Sequence, residues 1–341
     1  MFLLVLLAWA LPALAQITYG DEPPPRTAPP PPEPKPSDEA PIETLKVQVR
    51  LVNLFFNVRG EHNGLVGGLE KKDFEVFEDG QKQEIKFFNR QADQPLTLGI
   101  LIDTSGSQTN VLPMTREIGA SFLRDVLRPK DMAFLISFDV NVDLLQDYTS
   151  SPSKLRAGLG KTKINEGGGF GGGGIPGIGQ GPIPTHGTPR GTLLYDAIWL
   201  ATGEKLRAET GRKAIIILTD GEDVGSRTKI GEAIEAAQKA DTIVYVILEF
   251  DRMAIGGYGA GDMERVCRET GGRMINAGHN ETKLRDAFDQ ISEELRTQYN
   301  LGYTPGNPKL DGKFRKVEIK TVDHALKVQS RRGYYAPSEN D

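Results

Sequence analysis

Residues 98–102, Leu-Gly-Ile-Leu-Ile, form an uninterrupted apolar run, and Met132–Phe138, Ala214–Leu218 and Ile243–Leu248 repeat the pattern. Short runs without polar alternation mark strands buried on both faces, as in a parallel sheet covered by helices. The segments between them have helical spacing. Met114, Ile118, Phe122 and Val126 share one face of a helix that stops before Pro129. Thr192–Leu206 reads as a second helix, Ile230–Lys239 as a third and Met263–Glu269 as a short fourth. Arg273–Asn276 is a further strand, and Leu284, Phe288, Ile291 and Leu295 mark a last helix. Strands alternating with helices in this way predict an open, mostly parallel α/β sheet with helices on both faces.

On either side of this doubly wound, Rossmann-like region the pattern is antiparallel β. Val47, Val49 and Leu51 alternate, the phase slips, and Val52, Leu54, Phe56 and Val58 continue it. Phe74–Phe77 runs into Asp79-Gly80 and returns through Ile85, Phe87 and Phe88, a strong hairpin signal. After Thr297, three strands are expected at Tyr299–Tyr303, Phe314–Lys320 and Ala325–Ser330, with Tyr334-Tyr335 in a core. Neither flank has enough apolar surface to stand alone. Segments 45–92 and 298–336 are therefore predicted to pair into one small β-sandwich beside an α/β domain over 95–297.

Two biased tracts lie outside this pattern. Ten of the 22 prolines fall between Pro23 and Pro41, and ten of the 39 glycines between Gly167 and Gly181. The first predicts a polyproline spacer within a linker over 16–44. The second predicts a flexible insertion over 166–187. Residues 2–14 read FLLVLLAWALPAL and run on into Ala13-Leu14-Ala15, the pattern of a signal peptide cut after Ala15, although no basic residue precedes its apolar core. The expectation is an exported protein, periplasmic or secreted, without a membrane span once the leader is removed. A net charge of −5 provides no footprint for nucleic acid, and one cysteine excludes an internal disulfide.

Ligands of open α/β sheets bind beyond the carboxyl ends of the strands. There the chain carries Asp103-Thr-Ser105-Gly-Ser107 after the first apolar run, Gly191-Thr192 at a helix start, and Thr219-Asp220-Gly221 after the third. Two carboxylates and three hydroxyls are an all-oxygen set suited to a hard divalent cation, Mg²⁺ or Mn²⁺. The EF-hand-like Asp139-Val-Asn141-Val-Asp143 fails, because Leu144 and Ser150 stand where Gly and Glu are needed. No nucleophile motif or phosphate loop is present.

With these residues in order, the chain resembles the von Willebrand factor A (VWA) domain over about 95–297, and Asp103, Ser105, Ser107, Thr192 and Asp220 match its metal-ion-dependent adhesion site (MIDAS). The resemblance implies that Ser105, Ser107 and Thr192 contact the metal and that Asp103 and Asp220 act mostly through bound waters. It further implies an open position for an Asp or Glu of a protein ligand. DFEVFEDG before the domain and QYNLGYTP, DGKFRKVEIK and RRGYY after it resemble exported A-domain-related proteins of Acidobacteria-type bacteria. The expected function is protein binding rather than catalysis. Two alternatives stay open: a metal-dependent hydrolase with Glu222 or Asp223 as its base, and a scaffold whose β-sandwich does the binding.

Overall fold

In the computed structural model, residues 51–90, 94–165, 191–249 and 259–338 are described. The predicted leader, the linker, residues 45–50 and the glycine-rich insertion lie outside them. The apolar runs become the interior of a six-stranded sheet. It comprises β5 (Leu96–Asp103), β6 (Met132–Phe138), β7 (Val142–Thr149), β8 (Arg212–Thr219), β9 (Thr242–Leu248) and β10 (Met274–Asn276). Their order is β10-β9-β8-β5-β6-β7, parallel except for β7, which turns back antiparallel on β6. Every residue of β5, β8 and β9 is buried. Two helical layers account for that.

One face is covered by α1 (Leu112–Val126), α2 (Pro152–Leu159) and α6 (Glu281–Arg296). Phe122 of α1 packs on Phe288 of α6 with ring centroids 4.5 Å apart. The other face is covered by α3 (Leu194–Trp199), α4 (Ile230–Lys239) and α5 (Ala260–Thr270). The expected helix over 192–206 begins two residues later and widens at Leu200 into a π-helical stretch to Leu206, within which the Thr202 hydroxyl donates to the Ile198 carbonyl at 2.8 Å. Helix α2 was not anticipated. Its signal is local, Ser151 as N-cap followed by Pro152, and too short to show a period.

The two flanks form the predicted sandwich. One sheet runs β13-β1-β11-β4, from β1 (Val52–Arg59), β4 (Ile85–Arg90), β11 (Tyr299–Tyr303) and β13 (Lys327–Ser330). The other runs β14-β12-β2-β3, from β2 (Phe74–Glu78), β3 (Gln81–Gln83), β12 (Phe314–Thr321) and β14 (Gly333–Tyr335). N-terminal strands thus pair with C-terminal ones, Leu54 opposite Leu301 and Val76 opposite Ile319. Asp79 (φ 48°) and Gly80 (φ 82°) make the two positive-φ positions of the hairpin turn. The returning arm divides at Glu84: β3 stays with β2, whereas β4 crosses to the other sheet, where Phe88 stacks on Tyr299 at 5.6 Å. The tail supplies four strands instead of three, and Tyr334 is core while Tyr335 is half-buried.

Candidate functional site

The chain leaves β5 for β6 through α1 and later crosses to β8 on the other side of β5. The strand order therefore reverses between β5 and β8, which is where open α/β sheets leave a crevice for ligands. Asp103 ends β5, and Thr219 ends β8 beside it, followed by Asp220.

Four of the predicted site residues are joined there by hydrogen bonds. Asp103 Oδ1 accepts the Ser105 backbone N–H at 2.9 Å, and Oδ2 accepts the Thr219 hydroxyl at 2.7 Å. Ser105 Oγ lies 3.0 Å from Ser107 Oγ, and the Ser107 hydroxyl donates to Asp220 Oδ2 at 2.6 Å. Asp220 Oδ1 accepts the Glu222 N–H at 3.1 Å. Thr192 belongs to the same edge by its backbone. It exchanges two hydrogen bonds of 2.9 Å with Val224, in the loop that follows Asp220. Its hydroxyl bonds to none of the other four. Close packing at Gly221 (φ 90°) holds this loop: a Cβ on Gly259, at the start of α5, would meet the Gly221 carbonyl.

Asp103 is only 1% exposed. Burial first, and the nearby Asp220 carboxylate second, raise its pKa to about 7, against the lowering effect of its bonds to Ser105 and Thr219. No Lys, Arg or His among the described residues is bonded to either acid.

A third acid escaped the sequence reading. Glu249, directly after β9, is 3% exposed. Its N–H donates to the Thr219 carbonyl at 2.8 Å, and its Oε1 lies 2.6 Å from the Thr115 hydroxyl of α1. Burial first, then Asp103 and Asp220, push it up to about 8, against the lowering effect of its bond with the Thr115 hydroxyl. The signal was available, since an apolar run, TIVYVIL, ends in a carboxylate just as those before Asp103 and Asp220 do. The two acids considered as bases stand differently. Glu222 is exposed, and the Asp223 carboxylate accepts the Tyr195 N–H at 3.0 Å and the Ser226 hydroxyl at 2.6 Å, which fixes the first turn of α3.

The residues fit a divalent cation by their chemistry. Two close carboxylates lack a positive partner among the described residues, and the adjoining hydroxyls are hard oxygen donors. Gln108, 1% exposed, donates through Nε2 to Ser107 Oγ at 3.3 Å while its Oε1 has no partner. No group of three or more His, Cys, Asp or Glu suited to holding a metal occurs among the described residues. Serine and threonine oxygens would therefore have to complete any coordination sphere. Among the described residues, no helix is long and apolar enough to cross a membrane.

No protein-family model matches the chain, and no curated protein does. Solved structures are similar in fold. The conserved hypothetical protein BatB from Bacteroides thetaiotaomicron is 19% identical, over 59% of this chain and 97% of that one, with a TM-score of 0.43. Proximal thread matrix protein 1 from the mussel byssus, in a structure described as having a zinc-occupied MIDAS motif, is 13% identical over 63% of this chain, with a TM-score of 0.45. This chain spans 48% of the mussel protein's. The vWF domain of the type V pili tip protein Mfa5 from Porphyromonas gingivalis is 13% identical over 59% of this chain and 95% of its own, at 0.43.

Proposed function

We propose that this is an exported VWA-type binding protein that holds Mg²⁺, or Mn²⁺, at Asp103, Ser105, Ser107, Thr192 and Asp220 and uses it to engage an acidic side chain of a protein partner. One observation carries the reading: the Ser107 hydroxyl reaches across the switch point to Asp220 at 2.6 Å, tying the loop after β5 to the loop after β8. A cation between those loops would replace that bond with oxygens of both sides. Ser105, Ser107 and Thr192 would supply neutral oxygens, and Asp103 and Asp220 would supply charge and orient waters. A divalent ion so held contributes Lewis acidity, and with two carboxylates nearby it retains attraction for an external one. The chain's part is to present hydroxyls on rigid strand ends and keep Asp103 out of water.

Of the two candidate bases, Asp223 is committed to Tyr195 and Ser226 and so is a poor general base, which leaves exposed Glu222; metal-dependent turnover abolished in Glu222→Gln would favour hydrolysis over binding. Calorimetric titration with Mn²⁺ tests the proposal. Wild type should bind reversibly, and Asp103→Ala should lose binding while retaining its circular dichroism. Equal binding by the two would overturn the site. Export is tested by N-terminal sequencing of protein recovered from the cell envelope or medium, with Gln16 expected as the first residue.

A further inference from the structure

We infer that the protein partner presents its acid on an extended segment, and that a cleft beside the cation site, between the β6–β7 hairpin and residues 161–165, holds that segment by its main-chain amides. This rests on the cation reading above and names the form in which the partner meets it.

Thr104 joins the two places. It stands between Asp103 and Ser105 in the chain and lines a cleft of about 550 Å³, within the range of roughly 300–1,000 Å³ usual for ligand sites. Its hydroxyl donates to Asp139 Oδ2 at 2.9 Å on the hairpin wall, and its carbonyl accepts the Asn165 N–H at 2.9 Å on the other. Val140 of the hairpin also lines the cleft, and a Cβ on Gly191 would meet its Cγ1 at 3.2 Å. The cleft therefore continues the edge that carries Asp103 and Thr192. Its ionisable side chains are two acids, Asp139 and Asp143, and two lysines, Lys161 and Lys163, so net charge selects no ligand. Asp139 is engaged by Thr104 and by the Asn141 N–H at 3.0 Å, and Lys161 Nζ donates to the Leu145 carbonyl at 3.1 Å. The side chains of Asn141, Asn165 and Ser137 also line the cleft and bond to no other described residue. Ser137 is only 7% exposed, and a buried hydroxyl favours a ligand that brings its own polar group. Each asparagine amide offers one acceptor and a pair of donors, the complement of the N–H and C=O that every residue of an extended chain presents.

The test uses two probes in saturating Mg²⁺, acetyl-Asp-methylamide and acetyl-Ala-Ala-Asp-Ala-Ala-amide, which share the acid and differ in main chain. The longer probe should bind about tenfold more tightly. The double change Asn141→Ala with Asn165→Ala should remove that advantage, with Mn²⁺ titration of the same variant following the cation separately. Nuclear magnetic resonance of the wild type gives a second reading that needs no variant to fold: the longer probe should shift the side-chain amide signals of Asn141 and Asn165, and the capped aspartate should not. Equal affinity for the two probes, or an advantage that survives the double change, would overturn the inference and leave the cation reading standing. Wild type that binds no Mn²⁺ would overturn the cation reading, and the inference with it. Deletion of residues 167–181 should leave the two amide signals of the probe-free protein in place. A shift there would make the chain itself the occupant and overturn the inference of a partner.

Discussion

The molecule buries acids in two ways, and the contrast separates what the fold needs from what the site keeps. Where α6 meets the sandwich, Glu294 is fully buried and held by Arg59 of β1 at 2.6 Å, by Arg273 and by Gln329 Nε2 of β13 at 3.1 Å. Inside the sandwich, Glu78 receives the Tyr303 hydroxyl at 2.7 Å and the Tyr334 hydroxyl at 2.9 Å, one from each sheet. Each of these acids meets donors that the fold itself delivers. At the end of the central sheet, Asp103 and Glu249 are buried as deeply but face another carboxylate and, among the described residues, no cation. A buried acid used for structure is balanced within the chain. One left unbalanced costs stability and is explained most simply by a partner from outside.

The largest expected effect lies on the balanced side. Glu294→Ala leaves two arginines facing a buried gap, so it should cost about 3–5 kcal/mol in urea denaturation. It should also loosen the sandwich against α6, since Arg59 and Gln329 both lose their acceptor. A loss no larger than that of an exposed ion pair would show that this junction is not a fixed one.

The unbalanced side should respond with the opposite sign. The folded pKa of Asp103, about 7, lies above that of an unfolded aspartate, about 3.9. The folded protein therefore binds more protons between these values. The stability this acid permits is fully present below about pH 4 and is lost as pH rises through about 7. Glu249 extends the decline toward its own value of about 8. Asp103→Asn cannot ionise. In chelator at about pH 7.5 it should be more stable than wild type by on the order of 4 kcal/mol, and level with it near pH 4. It should also have lost Mn²⁺ binding. Thermal melts across that range decide the matter, and an asparagine variant less stable at every pH would remove the argument from electrostatic cost.

How much of this was legible in sequence depends on the kind of signal. The α/β core was, because a strand buried on both faces leaves an uninterrupted apolar run and a surface helix leaves a period of 3.6. The pairing of the two flanks was inferable too, because neither can cover its own apolar face. The short α2, the π-helical widening at Leu200 and the crossing of β4 at Glu84 were not, since each is decided by tertiary packing over too few residues to show a period. At the candidate site, Asp103 and Asp220 announced themselves by the motifs around them. Glu249 stands alone, and its relation to Asp103 arises only when β9 and β5 take places on either side of β8.

A smaller effect separates a donor from its acceptor within the sandwich. Tyr303→Phe removes one of the two hydroxyls on Glu78 and leaves the ring in place, so it should cost about 1 kcal/mol. Tyr303 is fully buried, and Tyr334 still satisfies the carboxyl. The double change Tyr303→Phe with Tyr334→Phe should exceed the sum of the single losses, because it leaves a buried acid without donors. Simple additivity would mean that solvent reaches Glu78 and that this acid is less enclosed than its position implies.

The smallest effect is expected from deleting residues 167–181. This stretch contains no Asp, Glu, Lys, Arg or His and ten glycines, so it has no side chain able to neutralise Asp103 or Glu249. Shortening a connection changes the entropy of closing it only with the logarithm of its length, which for this deletion is less than about 1 kcal/mol. If the imbalance at the site is set by Asp103, Asp220 and Glu249 alone, the deletion should leave both the melting temperature and the Mn²⁺ affinity nearly unchanged, as well as the fall in stability from about pH 4 to 8. An altered pH profile in the deletion variant would mean that the tract screens these acids through its backbone. The contrast between balanced and unbalanced acids would then have to be redrawn with that tract as part of the site.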